Sequence, residues 1–198
     1  MSRVLIVLCH PNPESLTHHL AAKSRAALEA AGHEVRVVDL YADGFDPVMS
    51  REERAGYHAP GDNEIPVAEH LAHLRWCEGV LFHYPTWWFG LPAMLKGWLD
   101  RVLVPHATFE MPTESKPMQG GRGLGHIRRV AVVTTAGAPL VYSKLIGEPG
   151  RRTLLRGFRA LCHPRCRTSY DALHRIDTAT PERRAAFAAR IARRAAQF

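Results

Sequence analysis

Three stretches of the 198-residue chain carry side chains whose types and spacing could do chemistry. The first is Pro85-Thr86-Trp87-Trp88-Phe89-Gly90, which follows an apolar run from Val80 and precedes Leu91-Pro92. Three consecutive aromatics on a strand-to-helix turn exceed what packing alone requires, and they offer a surface to a planar, mostly apolar ligand. The second is Cys9-His10-Pro11-Asn12-Pro13-Glu14-Ser15-Leu16-Thr17, a loop set by two prolines and an asparagine. It delivers hydroxyls to a helix start, where free N–H groups and the helix dipole favour an anion; capping by Ser15 is compatible with that role. The third is Thr134-Thr135-Ala136-Gly137, whose small residues let backbone N–H groups approach a ligand closely. Tyr142 follows five residues after Gly137.

The elements that must position these stretches alternate in type. Apolar runs at 3–8, 34–40, 80–84 and 128–134 read as buried strands, and 163–170 as a last strand with Pro164 near its start. Helical spacing follows over 16–31, with Gly32 placed as the residue after the helix, and over 67–76, 91–102 and 151–161. Pro92 is expected at the first helical position, and Lys96 pairs with Asp100 at i,i+4. Ser50-Arg51-Glu52-Glu53 reads as a capped short helix and Thr180-Pro181-Glu182 as the start of the final one. Five alternations of strand and helix predict one α/β domain over residues 1–198, a parallel sheet covered on both faces. Each of the three stretches then lies at the carboxyl end of a strand, where open α/β sheets bind ligands.

Composition narrows the function. The content of 46% hydrophobic residues is that of an ordinary globular protein. No run approaches the roughly 20 apolar residues of a membrane span, and no signal-peptide core is evident. Cys9, Cys77, Cys162 and Cys166 show no framework spacing, which with the missing leader points to a reducing, cytoplasmic setting. The net charge of +7 is uneven: residues 151–198 hold 12 arginines against 3 acids. Those arginines alternate with alanine and lack an aromatic stacking platform, so nucleic acid is not an expected partner. A solvated helix face explains them, or attraction of an anionic cofactor such as a nicotinamide dinucleotide phosphate. His70, His73 and Cys77 share a helix face but lack a fourth ligand, and His18-His19 fares no better, so no metal is expected. His70 and His73 are read as solvent-side histidines and Cys77 as a buried cysteine. Neither Gly-x-Gly-x-x-Gly nor a Walker lysine is present. The segment 105–125 is a long loop of the kind that carries function or a partner contact, and Gly121-Arg122-Gly123-Leu124-Gly125 within it is read as a flexible crossing.

The stretch Pro85-Thr86-Trp87-Trp88-Phe89-Gly90-Leu91-Pro92-Ala93-Met94-Leu95-Lys96-Gly97-Trp98-Leu99-Asp100-Arg101-Val102, with His10-Pro11-Asn12-Pro13-Glu14-Ser15-Leu16-Thr17 and Thr134-Thr135-Ala136-Gly137, resembles the flavodoxin-like NAD(P)H:quinone oxidoreductases. The resemblance covers nearly the whole chain and is weakest after Cys162. It implies a flavodoxin-like fold, a five-stranded parallel sheet in the order 2-1-3-4-5. It implies that His10, Ser15, Leu16 and Thr17 surround a flavin phosphate. It also implies that Pro85, Thr86, Trp87, Trp88 and Phe89 hold the isoalloxazine, and that Thr134, Thr135, Ala136, Gly137 and Tyr142 meet its pyrimidine edge. The activity implied is two-electron hydride transfer from NAD(P)H through the flavin to a quinone or similar electrophile, in a homodimer. In mammalian members a histidine follows the tyrosine by six positions; here that position is Glu148, so Tyr142 and Glu148 are the catalytic candidates. Larger relatives with an adenine-binding loop after the second strand use FAD, and segment 44–66 is long enough to serve, so FAD is expected, with FMN the alternative. Two other roles fit the resemblance: a flavoprotein regulatory subunit of a membrane transporter, and a flavodoxin-type electron carrier.

Overall fold

Strand β1 (Arg3–Leu8) is buried from Val4 to Leu8 because it lies between two other strands and under helices on both faces. A computed structural model, which describes residues 1–114 and 121–198, shows why. The strands β2 (Glu34–Asp39), β3 (Gly79–Thr86), β4 (Arg129–Ala136) and β5 (Arg167–His174) join β1 in one parallel sheet of order β2-β1-β3-β4-β5. The expected flavodoxin-like topology is therefore the one observed. The register decides which residues meet where the strands end: Leu8 lies beside both Asp39 and His83, and Thr86 beside Ala136. The carboxyl ends of β1, β3 and β4 are neighbours.

Alternate side chains feed two cores. On one face, α1 (Leu16–Ala30) and α7 (Pro181–Ala195) cover Val4, Ile6, Leu81 and Val133. On the other, α3 (Ala68–Trp76), α4 (Ala93–Val102) and α6 (Pro149–Arg152) with the helical turn that continues it cover Leu5, Val80, Phe82 and Val132. Helix ends follow local chemistry. The Ser15 and Thr180 hydroxyls accept the N–H of His18 and Arg183, and Ser50 with Glu53 forms a reciprocal capping box on α2 (Arg51–Gly56). After α1, Gly32 takes φ 82°, which favours glycine.

Several elements differ from expectation. Pro92 is the N-cap of α4 rather than its first residue: its carbonyl accepts the first helical hydrogen bond, from Lys96 N–H at 2.9 Å. Strand β5 begins at Arg167, not 163: Pro164 lacks an N–H, and Cys166 N–H closes a turn onto His163 O at 2.8 Å. His70 is not solvent-side. Trp98 Nε1–H donates to its Nδ1 at 3.3 Å, and its ring meets Phe45 edge-on at 4.8 Å. The crossing at 121–125 is packed rather than free, since Leu124 is buried and a Cβ on Gly123 would collide with the Thr108 backbone. Of the loop 105–125, residues 115–120 lie outside the described residues.

Segment 44–66 runs along α4. Arg101 pairs with Glu53 at 2.6 Å, Tyr57 OH donates to Leu103 O at 3.1 Å, and Asn63 donates to Pro105 O at 3.0 Å. Gly97 lets this segment approach, because Pro47 occupies the space where a Cβ would stand. Gly97→Ala should therefore destabilise the protein by about 1–3 kcal/mol, read as a lower urea midpoint, whereas an exposed glycine with open surroundings such as Gly157 should tolerate alanine.

Candidate active site

The loops after β1, β3 and β4 meet at the carboxyl edge of the sheet. Cys9 N–H donates to His83 O at 2.9 Å, continuing the β1–β3 ladder beyond the strand. Thr86 and Thr134 hydroxyls are 2.8 Å apart and tie β3 to β4. At the end of β3 the chain reverses through Trp87-Trp88-Phe89-Gly90, with Gly90 N–H donating to Trp87 O at 3.0 Å. Both central residues are left-handed, Trp88 at φ 47° and Phe89 at φ 62°. Bulky residues avoid that region at a cost of roughly 1–2 kcal/mol each. The turn is held from behind by Gly150, where a Cβ would stand 3.2 Å from Gly90 and Leu91. The result is that Trp88 is 94% exposed while the Trp87 ring turns toward His10, 6.0 Å away.

The β1 loop is ordered by its own polar groups. Asn12 N–H donates to His10 Nδ1 at 3.0 Å, and Glu14 N–H donates to Asn12 Oδ1 at 2.9 Å. Burial lowers the His10 pKa, favouring the neutral ring. Ser15 caps α1, Leu16 starts it, and Thr17 is buried. The neighbouring Cys9 thiol is pushed up to about 12 by burial, so it is a packing residue and not a nucleophile. Behind these loops, the β4 loop offers the buried Thr134, Thr135 and Ala136 and then Gly137, where a Cβ would stand 2.8 Å from Asp177 Oδ2.

Tyr142 lies on α5 (Leu140–Ile146) and is 60% exposed, amid exposed Val141, Leu145 and Ile146. Glu148 faces a different environment. Its buried carboxylate lies 3.0 Å from Lys144 Nζ and 2.9 Å from Arg151 Nη1. Burial alone would raise its pKa, but the hydrogen bonds and charges of Lys144 and Arg151 outweigh it and hold the carboxyl below its ordinary value. Glu148 thus joins Lys144 and Arg151 at the left-handed start of the helix at Pro149–Arg152.

Two features escaped the sequence. His83 is fully buried on β3, its pKa driven down to about 3 by burial, with both ring nitrogens unpaired among the described residues. His18 Nε2 lies 3.0 Å from Asp39 Oδ2 and its Nδ1 3.0 Å from Ser15 Oγ. The signal for this pair was the position of Asp39 at the end of the strand beside β1. Among the described residues no group of three or more His, Cys, Asp or Glu could hold a metal.

The ion pairs of Glu148 give a signed prediction. Its lowered pKa contributes stability above the ordinary glutamate range, and that stability is lost as pH falls through the lowered value. Glu148→Gln should cost about 1 kcal/mol at pH 7, and the gap to wild type in thermal unfolding should narrow as the pH is taken below the ordinary glutamate range and the carboxyl takes up its proton.

A model of the flavodoxin-like fold matches residues 2–197. The rat NAD(P)H dehydrogenase [quinone] 1 is 33% identical over 159 residues, 71% of this chain and 56% of that protein. The human ribosyldihydronicotinamide dehydrogenase [quinone] is 31% identical over 160 residues, 72% of this chain and 67% of that protein. The chain spans about half the length of the first curated relatives it matches. The solved structure of an NAD(P)H:quinone oxidoreductase from Methanothermobacter marburgensis superposes at a TM-score of 0.83, with 98% of each chain covered and 23% identity, a likeness of fold. With its sheet order and its three convergent loops, the chain belongs to the flavodoxin-like NAD(P)H:quinone oxidoreductase family.

Proposed function

We propose that the chain is a flavin-dependent NAD(P)H:quinone oxidoreductase that passes two electrons from a nicotinamide cofactor to a quinone or similar electrophile. The observation that carries this reading is the meeting of the β1, β3 and β4 loops at the carboxyl edge of the sheet. The residues fit a flavin. Ser15, Thr17 and the first N–H groups of α1 suit a phosphate, the Trp87–Gly90 turn suits a ring plane, and the Thr135–Gly137 backbone suits a polar edge. When bound, the flavin supplies the electron-transfer chemistry. The protein supplies the rest. Ser15 and Thr17 donate to the phosphate while His10 and Leu16 close around it. Pro85, Thr86, Trp87, Trp88 and Phe89 orient the ring and exclude water. Thr134, Thr135, Ala136 and Gly137 donate where negative charge develops. Tyr142 carries the proton at its hydroxyl, and Glu148 holds the loop after α5.

The flavin we assign is FMN rather than FAD. Segment 44–66, the adenine-loop candidate, is engaged along α4 through Glu53, Tyr57 and Asn63, which leaves it poorly placed to serve an adenine. Operation in the cytoplasm belongs to the same proposal and is supported by four buried free cysteines; no described helix is long and apolar enough to cross a membrane. An electron carrier with no substrate of its own gives Tyr142 no role.

The test is steady-state oxidation of NADH and NADPH with a quinone by the purified chain, together with mass spectrometry of the released flavin. Turnover with FMN released supports the reading; reduction by a partner protein only, with no direct NAD(P)H oxidation, makes it a carrier. Replacing Ser15 and Thr17 together by alanine should weaken FMN binding roughly tenfold or more per lost charge-assisted contact, measured by quenching of flavin fluorescence. Unchanged affinity would sink the phosphate assignment.

A homodimer in which the partner completes each site is supported by the exposed Val141, Tyr142, Leu145 and Ile146 on α5, beside the crevice residues of β4. Sedimentation at micromolar concentration should show a dimer, and Leu145→Arg should shift it toward monomer with loss of turnover. A fully active wild-type monomer rules this out.

A further inference from the structure

Asp39, His18 and Ser15 form a hydrogen-bonded chain that ends at the start of α1. Asp39 Oδ1 accepts the N–H groups of Tyr41 and Ala42 at 3.2 and 3.3 Å, which fixes the carboxylate. Its Oδ2 faces His18 Nε2 at 3.0 Å, so Nε2 carries a proton. His18 Nδ1 is 3.0 Å from Ser15 Oγ, and the same oxygen accepts the His18 N–H at 3.3 Å as the helix cap. A serine hydroxyl has one proton to give. With His18 neutral, Nδ1 is a lone pair and takes that proton, so Ser15 turns only lone pairs outward. With His18 protonated, Nδ1–H donates to Oγ, and the serine proton is free for an acceptor outside the helix.

We propose that His18 is a positioning residue that couples phosphate binding at Ser15 to the uptake of one proton, an inference that rests on the reading of Ser15 and Thr17 as the flavin-phosphate partners. The charges agree with it. The imidazolium is offset by Asp39 on one side and meets the incoming anion on the other. The other groups that face it are the His10 ring, edge-on with centroids 6.2 Å apart, and Glu14, His19 and Arg25, which line the cavity of about 480 Å³ beside Ser15 and His18. Glu14 and Arg25 carry opposite charges, and His10 is kept neutral by burial. Of the histidines here, His18 is the one bonded to Ser15 Oγ among the described residues, and the coupling is assigned to it on that contact. Nothing in the chain of bonds requires the ring plane of the flavin, so a flavin without phosphate does not engage it.

The experiment titrates the full chain, freed of flavin, with FMN and with riboflavin between about pH 7 and 8.5, above the second phosphate ionisation near 6. FMN affinity should fall with rising pH by up to about tenfold per unit, the limit for one linked proton, while riboflavin affinity stays flat. In His18→Gln the FMN dependence should flatten. Asp39→Asn, which removes the charge that favours the imidazolium, should move the dependence to lower pH; it serves as the second variant if His18→Gln does not fold. A flat FMN profile in wild type, or a slope that survives in His18→Gln, overturns the proposal while FMN still binds tighter than riboflavin. If FMN binds no tighter than riboflavin, the phosphate reading itself has failed, and the proposal with it.

Discussion

Strand β3 has no side that faces water. Seven of its eight residues are buried, and it is paired to β4 along its length and to β1 from Gly79 to His83. That constraint dictates its composition, its neighbours and its ending. Side chains on one face enter the core with Trp98 and Phe158, and on the other they meet α1 and α7. A polar side chain in such a strand has no water to turn to, and His83 accordingly stays neutral. The strand can present chemistry only where it emerges, at Thr86 and the aromatic turn. The left-handed Trp88 and Phe89 are held there because the burial behind them outweighs local strain of a few kcal/mol.

The order of elements was readable because buried parallel strands and amphipathic helices leave different periods in the sequence. The cap at Ser15, the box at Ser50 and Glu53, and Pro181 at the start of α7 were readable because they act within four residues of chain. What was not readable depends on contacts between distant segments. The start of β5 slipped from 163 to 167 because a turn through Pro164 and Cys166 competes with the ladder. His70 looked solvent-side on its helix, but Phe45, from a segment whose path the sequence does not disclose, folds over it. The glycine-rich crossing looked free because glycine signals both flexibility and close approach, and only the position of Thr108 decides between them.

The candidate site divides along the same line. Its three loops are local motifs and could be named from residue types. The roles of its ionisable groups could not, because they depend on partners. Glu148 occupies the position of a family histidine, yet two cations three and four residues away fix it as a carboxylate. Asp39 has the same chemistry and another use. Its partner is a histidine that also reaches Ser15 Oγ, so this carboxylate ties the end of β2 to the start of α1.

The arginines of the last quarter of the chain show how composition misleads when it is read as a field. Twelve of them against three acids suggest a basic surface. Three of them instead serve the backbone around β5, the last strand in the sheet order, which pairs with β4 among the described residues. Arg159 donates to Cys166 O and Pro164 O at 3.1 and 3.2 Å, Arg183 to His174 O at 2.8 Å, and Arg184 to Ile176 O at 3.2 Å. These carbonyls flank the strand at its two ends, where chain leaves the ladder and loses its regular partners. Arg190 and Arg194 reach Asp171 in the middle of the strand from α7. Charged side chains along an open edge also discourage pairing with another chain. Part of the positive charge is thus spent on finishing the sheet at its outer strand.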